Sequence, residues 1–173
     1  MNPVRIIVLV AAALSLVVST AEAGAPDDMY TQYYGWLDGS QVVPPAPTGQ
    51  RGGACIYLNP DTDILTYDIN LWMPLVGIEL EAHIHGPAAA GMNAPIVFSL
   101  PLGDHISGSL GPLDLQQLHD LGCGLWYVDM HTTAFPLGEV RAQVKGLIIG
   151  GAPNPCTLPT EGTTWGAVKS LYQ

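Results

Sequence analysis

Across 173 residues the chain carries 15 acidic and 5 basic side chains, a net charge of −10 with the histidines neutral. Nucleic-acid binding needs clustered Lys and Arg to displace counterions, so that class of partner is excluded. The acids are scattered, as on a solvated surface, and the three cysteines form no C-x-x-C pair, which supports neither a thiol redox motif nor a zinc ribbon.

The first residues, MNPVRIIVLVAAALSLVVSTAEAGAPDD, contain one arginine, an apolar run from Ile6 to Val18 and then Ala21-Glu22-Ala23, the small-x-small pattern of a cleavage site. The run is about thirteen residues, short of the roughly twenty that cross a bilayer. Residues 1–23 are therefore expected to be a secretory signal peptide, leaving a mature chain from Gly24 without a transmembrane segment. Removing Arg5 and Glu22 with it leaves the charge balance unchanged. The expected location is secreted, or periplasmic and cell-envelope. In that oxidising setting Cys55, Cys123 and Cys156 predict one disulfide and one remaining thiol, with the pairing open.

Glycines and prolines (20 and 15) punctuate the rest into short alternating segments, the pattern of an antiparallel β-sandwich or barrel. In chain order, strands are predicted at 30–43, 53–59, 64–72, 78–85, 96–100, 105–110, 125–131 and 139–149. Asn59-Pro60-Asp61-Thr62-Asp63 is a turn, and Pro44-Pro45-Ala46-Pro47 ends the first strand. One short helix is predicted over Leu113 to Leu121, between Pro112 and Gly122, with Leu115, Leu118 and Leu121 covering one end of the sandwich. The domain is thus expected over 24–149, followed by a linker at 150–162 and a short amphipathic tail at 163–173, where Trp165, Val168 and Leu171 or Tyr172 share a face.

The chemistry concentrates in EAHIHGPA, Glu81 to Ala88. Period two along Ile78–His85 puts Ile78, Leu80, Ala82 and Ile84 on a core face and Glu79, Glu81, His83 and His85 on the other. The two imidazoles are then about 6 to 7 Å apart at Cα, a spacing at which both reach one ion, and Gly86-Pro87 ends the strand beside them. In LWYVDMHTTAFPLGEVRAQV the same alternation groups Tyr127, Asp129 and His131, and the chain returns through Glu139 and Arg141 on a common face. If the strand ends are neighbours, His83, His85 and His131 form a three-imidazole cluster suited to copper or zinc, with a carboxylate and a guanidinium close by. Alternatively the histidines only hydrogen-bond loop carbonyls. His105 and His119 read as solvated or capping residues.

Other chemistries are weaker. There is no G-x-S-x-G turn for a serine nucleophile. Asp61 and Asp63 lack the further oxygen ligands of a calcium loop, and Glu79 and Glu81 lack an opposing strand for a sugar-hydrolase cleft.

Taken together, the blocks LDGSQVVPPAPTGQRGGACIYLNPDTDILTYDINL, EAHIHGPAAAGMNAPIVFSL and LGCGLWYVDMHTTAFPLGEVRAQV resemble the CHRD domain, the module first recognised in chordin and common in secreted microbial proteins. Val42 and Leu137 depart from the family's usual Glu and Gly. The resemblance implies an immunoglobulin-like β-sandwich or barrel, an extracytoplasmic location and an unspecified protein partner. A looser likeness to copper-zinc superoxide dismutase rests on H-x-H, a later strand histidine and an arginine, without counterparts for that enzyme's other ligands. Together these imply His83, His85 and His131 as metal ligands, with Glu139, Arg141 and Asp129 as outer groups that orient ligands or steer anions. Three readings follow: a secreted metal-binding β-module, a non-catalytic interaction or structural module, and a dismutase-like copper enzyme. No catalytic residues are assigned.

Overall fold

The computed structural model describes residues 31–146. The expected signal peptide, linker and tail, residues 147–149 of the last strand, and Cys156 lie outside them. Within them the chain forms β1 (Thr31–Asp38), a 3-10 turn (Gly39–Gln41), β2 (Arg51–Asn59), β3 (Ile64–Leu71), β4 (Glu79–His85), β5 (Ile96–Leu100), β6 (His105–Leu110), α1 (Leu115–Gly122), β7 (Tyr127–Thr132), β8 (Val140–Gln143) and β9 (Lys145–Gly146). The sheet is antiparallel in the order β5-β4-β7-β8-β1-β2-β3-β6, with β9 also on β1. It curls into a nearly closed barrel, the antiparallel sandwich or barrel that alternation predicts and that the resemblance implies.

Alternation explains which residues fill it. Leu37 from β1, Ala54, Ile56 and Leu58 from β2, and Leu65 and Ile69 from β3 point inward and are buried, together with Ile84, Val128, Met130, Val140 and Ala142 from the other half. The β2–β3 hairpin closes through the predicted turn: Asn59 Oδ1 accepts from the backbone N–H groups of Asp61 and Thr62 at 2.9 and 3.2 Å. Asp63 takes the left-handed conformation (φ 55°) that Asp tolerates better than most residues.

Three expectations need correction. The first predicted strand stops at Asp38, whose side chain accepts from Ser40 N–H and caps the 3-10 turn, so Gln41 and Val43 are not strand residues. The helix starts later than predicted, at Leu115, because Asp114 and Gln117 form a reciprocal capping box; Leu115 then points to solvent and Leu113 takes its place in the core. In β4 the inward set is not uniform. Ile78 and Leu80 are 75% and 47% exposed, because the β4–β7 register shifts between Glu79 and Glu81, whereas Ala82 and Ile84 reach the core.

Candidate metal centre

The second half of β4 is buried on both faces. Ala82 and Ile84 face the barrel, and His83 and His85, on the opposite face, are covered as well. The cover comes from two loops. After His85 the chain turns at Gly86, where a Cβ would lie 2.5 Å from Trp126 Cδ1, so only glycine permits this close passage. The loop then runs back over the sheet, held by Ala88 N–H to Leu125 O (2.8 Å) and Gly86 N–H to Pro95 O (3.2 Å). The second loop follows β7 and is closed by reciprocal backbone hydrogen bonds between Thr132 and Phe135, with Gly138 at φ +115° packed on Val42.

Register brings the candidate residues together. Across β4–β7, His83 pairs with Asp129, Glu81 with His131 and His85 with Tyr127. One donor atom each from His83, His85, Asp129 and His131 lies within 4.8 Å of all the others. Asp129 Oδ1 is 3.1 Å from His85 Nε2, 3.3 Å from His131 Nε2 and 3.9 Å from His83 Nδ1. These four atoms are fully buried, and apart from these contacts with one another none has a hydrogen-bond partner among the described residues. The imidazoles meet edge-on rather than stacked, His83 against His85 at 5.3 Å and against His131 at 5.5 Å between centroids.

The outward nitrogens are engaged. His85 Nδ1 lies 2.8 Å from Ala94 O and His131 Nδ1 lies 3.0 Å from Pro136 O. Because a carbonyl oxygen only accepts, each Nδ1 carries the proton in the neutral ring, and the Nε2 lone pair points at the cluster. His83 is turned the other way, with Nε2 3.8 Å from Glu81 Oε2 and Nδ1 inward. Such outer partners fix tautomer and ring orientation at metal sites. Around an ion with bonds of about 2.0–2.1 Å to nitrogen, tetrahedral donors sit about 3.3 Å apart, close to the Asp129 distances here. The donor set fits a transition metal.

The electrostatics is that of a coupled quartet. Burial pushes the Asp129 carboxyl up, but His131 and His85 outweigh it and hold it below its usual range. For His131, the Asp129 carboxylate is the largest influence and raises the imidazole. Burial opposes the charged form of His85, yet Asp129 and the Ala94 carbonyl leave it raised. His83 is lowered by burial, which Asp129 only partly offsets.

The other predicted residues are placed differently. Arg141 lies across the β7–β8 ladder from Asp129, with its guanidinium carbon 3.5 Å from the centre of the Tyr127 ring. That ring also stacks on His85, at 4.8 Å and 3°. Glu139 is fully buried, but its hydrogen bonds go to Val76 N–H (2.8 Å), the Thr48 hydroxyl (3.2 Å) and the Thr132 hydroxyl (2.8 Å), not to an imidazole. His105 pairs with Asp68 on the surface at 3.1 Å, and His119 lies beside Asp120 and Cys123 on the helix. Spacing alone did not single out Tyr127 as a divider or Glu81 as the partner of His83, although alternation already set both on the histidine face.

Comparison with known proteins agrees with this arrangement of blocks. Residues 35–144 match the model of the CHRD domain. Chordin from Danio rerio is 28% identical over 131 residues, covering 71% of this chain and 13% of chordin, so the chain spans a small part of that relative. No solved structure matches. Among the described residues no helix is long and apolar enough to cross a membrane. The family match runs from the middle of β1 through β8 and takes in His83, His85, Asp129 and His131, and on that extent the chain belongs to the CHRD domain family.

Proposed function

We propose that this is a secreted or envelope CHRD β-module that binds one transition-metal ion, copper or zinc, through His83, His85, Asp129 and His131. The supporting observation is the set of four buried donor atoms that face only one another among the described residues, while the outward nitrogens of His85 and His131 are tied to backbone carbonyls. Unpartnered buried polar atoms are costly, and four in one place are compensated together by a cation. Asp129 joins as a ligand rather than as an outer group.

Four buried donors complete a tetrahedral set, the closed form of a structural site; a dismutase-like copper enzyme needs a further open position. The ion would tie β4 and β7 to the two loops that supply the Ala94 and Pro136 carbonyls. The test is titration of the purified protein with copper(II) and zinc(II), with metal content read by elemental analysis. One ion per chain, lost in His83→Ala/His85→Ala and in His131→Ala, supports the proposal. Absence of binding, or binding unchanged in both variants, overturns it.

A second reading, an interaction module, draws on the outer face of β1–β3. There Trp36 and Trp72 are 60% and 58% exposed with ring centroids 5.6 Å apart, an apolar patch compatible with a protein partner. The two readings are compatible, because they use opposite parts of the sheet.

A further inference from the structure

Arg141 is only 2% exposed, yet it has no carboxylate partner. Its register neighbours are two acids, Asp129 on β7 and Asp38 on β1. Asp129 is turned to the imidazoles. The oxygens of Asp38 are taken by Ser40 N–H, the Ser40 hydroxyl and the Gln41 amide. The guanidinium donates to Gln143 Oε1 at 3.0 Å and, at 3.5 Å, to Asn93 Oδ1, both neutral acceptors. Guanidinium has five N–H donors, so three are left without an acceptor among the described residues. The charge feels Asp129 across the ladder, but at hydrogen-bond distance it meets only neutral groups among the described residues, so it is incompletely compensated.

Arg141 is also part of the lining of a cleft of about 500 Å³ between the 3-10 turn and the loop after β4. The remaining lining divides by chemistry. Val42, Val43, Pro45 and Ala90 are apolar, while the Gln41 and Gln143 amides are spent within the protein, Gln41 on Trp36 O and Gln143 N–H, Gln143 on Ala88 O and Gly124 O. The cleft therefore presents one cation with spare planar donors at the end of an apolar wall. That combination selects a carboxylate, which guanidinium binds with paired hydrogen bonds, attached to a short hydrocarbon body.

The geometry points to a binding site for a small aliphatic carboxylate between Arg141 and the Val42–Pro45 wall. None of the four proposed metal ligands lines the cleft, so the site does not depend on metal.

The experiment is calorimetric titration of the full chain with isobutyrate, and with isobutyramide as the uncharged isostere. One saturable site is expected, with the amide weaker by roughly ten-fold or more, the loss of about one charge-assisted hydrogen bond. Arg141→Gln should abolish the signal. Because Arg141 is buried and its loss can unfold the barrel, Ala90→Trp supplies a second arm: Ala90 is exposed at the cleft mouth, and an indole there fills the cleft without touching the core. His131→Ala, which removes a proposed metal ligand, should leave isobutyrate binding unchanged. No saturable signal, equal affinity for the amide, or full binding in Ala90→Trp overturns the inference.

Discussion

His83 faces Asp129 directly across the β4–β7 ladder, and each turns its inward donor atom into the same buried space. A carboxylate placed there as ligand contributes charge as well as an oxygen. Asp129→Asn keeps the shape and removes the charge, and is expected to weaken zinc or copper binding by about 100-fold or more, the upper end of losses seen for mere outer partners. Competition with a chromophoric chelator reads this. In the metal-free variant, NMR titration should show His85 and His131 shifting downward, since the Asp129 carboxylate is what raises them.

Metal should stabilise the barrel by mass action. An ion at a hundred times its Kd adds about 2.7 kcal/mol, or roughly 10 °C in Tm for a domain of this size. Thermal unfolding with and without chelator measures it, and the increment should vanish in His131→Ala.

The dependence on pH has a definite sign. His85 and His131 have raised values, so metal must displace protons that persist above the ordinary imidazole range, and affinity should climb with pH until both rings are neutral. Without metal, the raised imidazoles stabilise the fold below their unfolded values and lose that effect as pH rises through the folded ones. The lowered Asp129 stabilises above its unfolded value and loses it as pH falls through the folded one. His83, lowered by burial, costs stability as pH falls below the ordinary imidazole value, but two raised rings oppose this one, so metal-free stability should peak between about pH 4 and 6.5, the ordinary carboxylate and imidazole values. Urea unfolding in the presence of chelator checks this.

Glu139 separates structural from metal effects. Glu139→Ala removes the acceptor for Val76 N–H and two threonine hydroxyls, and should cost about 3 kcal/mol in urea unfolding. Metal affinity of the folded fraction should change little.

Cys55 lies on the outer face of β2, exposed and free. Labelling of the native protein with a thiol reagent should report Cys55 and disappear in Cys55→Ser.

Much of this site is legible in the sequence because two residues per repeat suffice to assign a strand face: alternation alone groups His83 with His85, and Tyr127 with Asp129 and His131. Pairing of β4 with β7 is not, since alternation says nothing about which strands are neighbours. Nor is burial of the polar face, which depends on loops that Gly86 and Gly138 let pass close to the sheet. Glu139 was assigned to the imidazoles because it follows their loop and shares an alternation with Arg141. Its carboxylate instead binds Val76 and Thr48, residues from segments with no periodicity to announce them.

All four proposed donors come from two adjacent strands, β4 and β7, and the outward nitrogens of His85 and His131 are held by loops leaving those same strands. The outer surface of β1, β2, β3 and β6 is consequently free to diverge between relatives. Substitutions around Trp36 and Trp72 can alter that outer surface while leaving the half that carries the three histidines and Asp129 untouched.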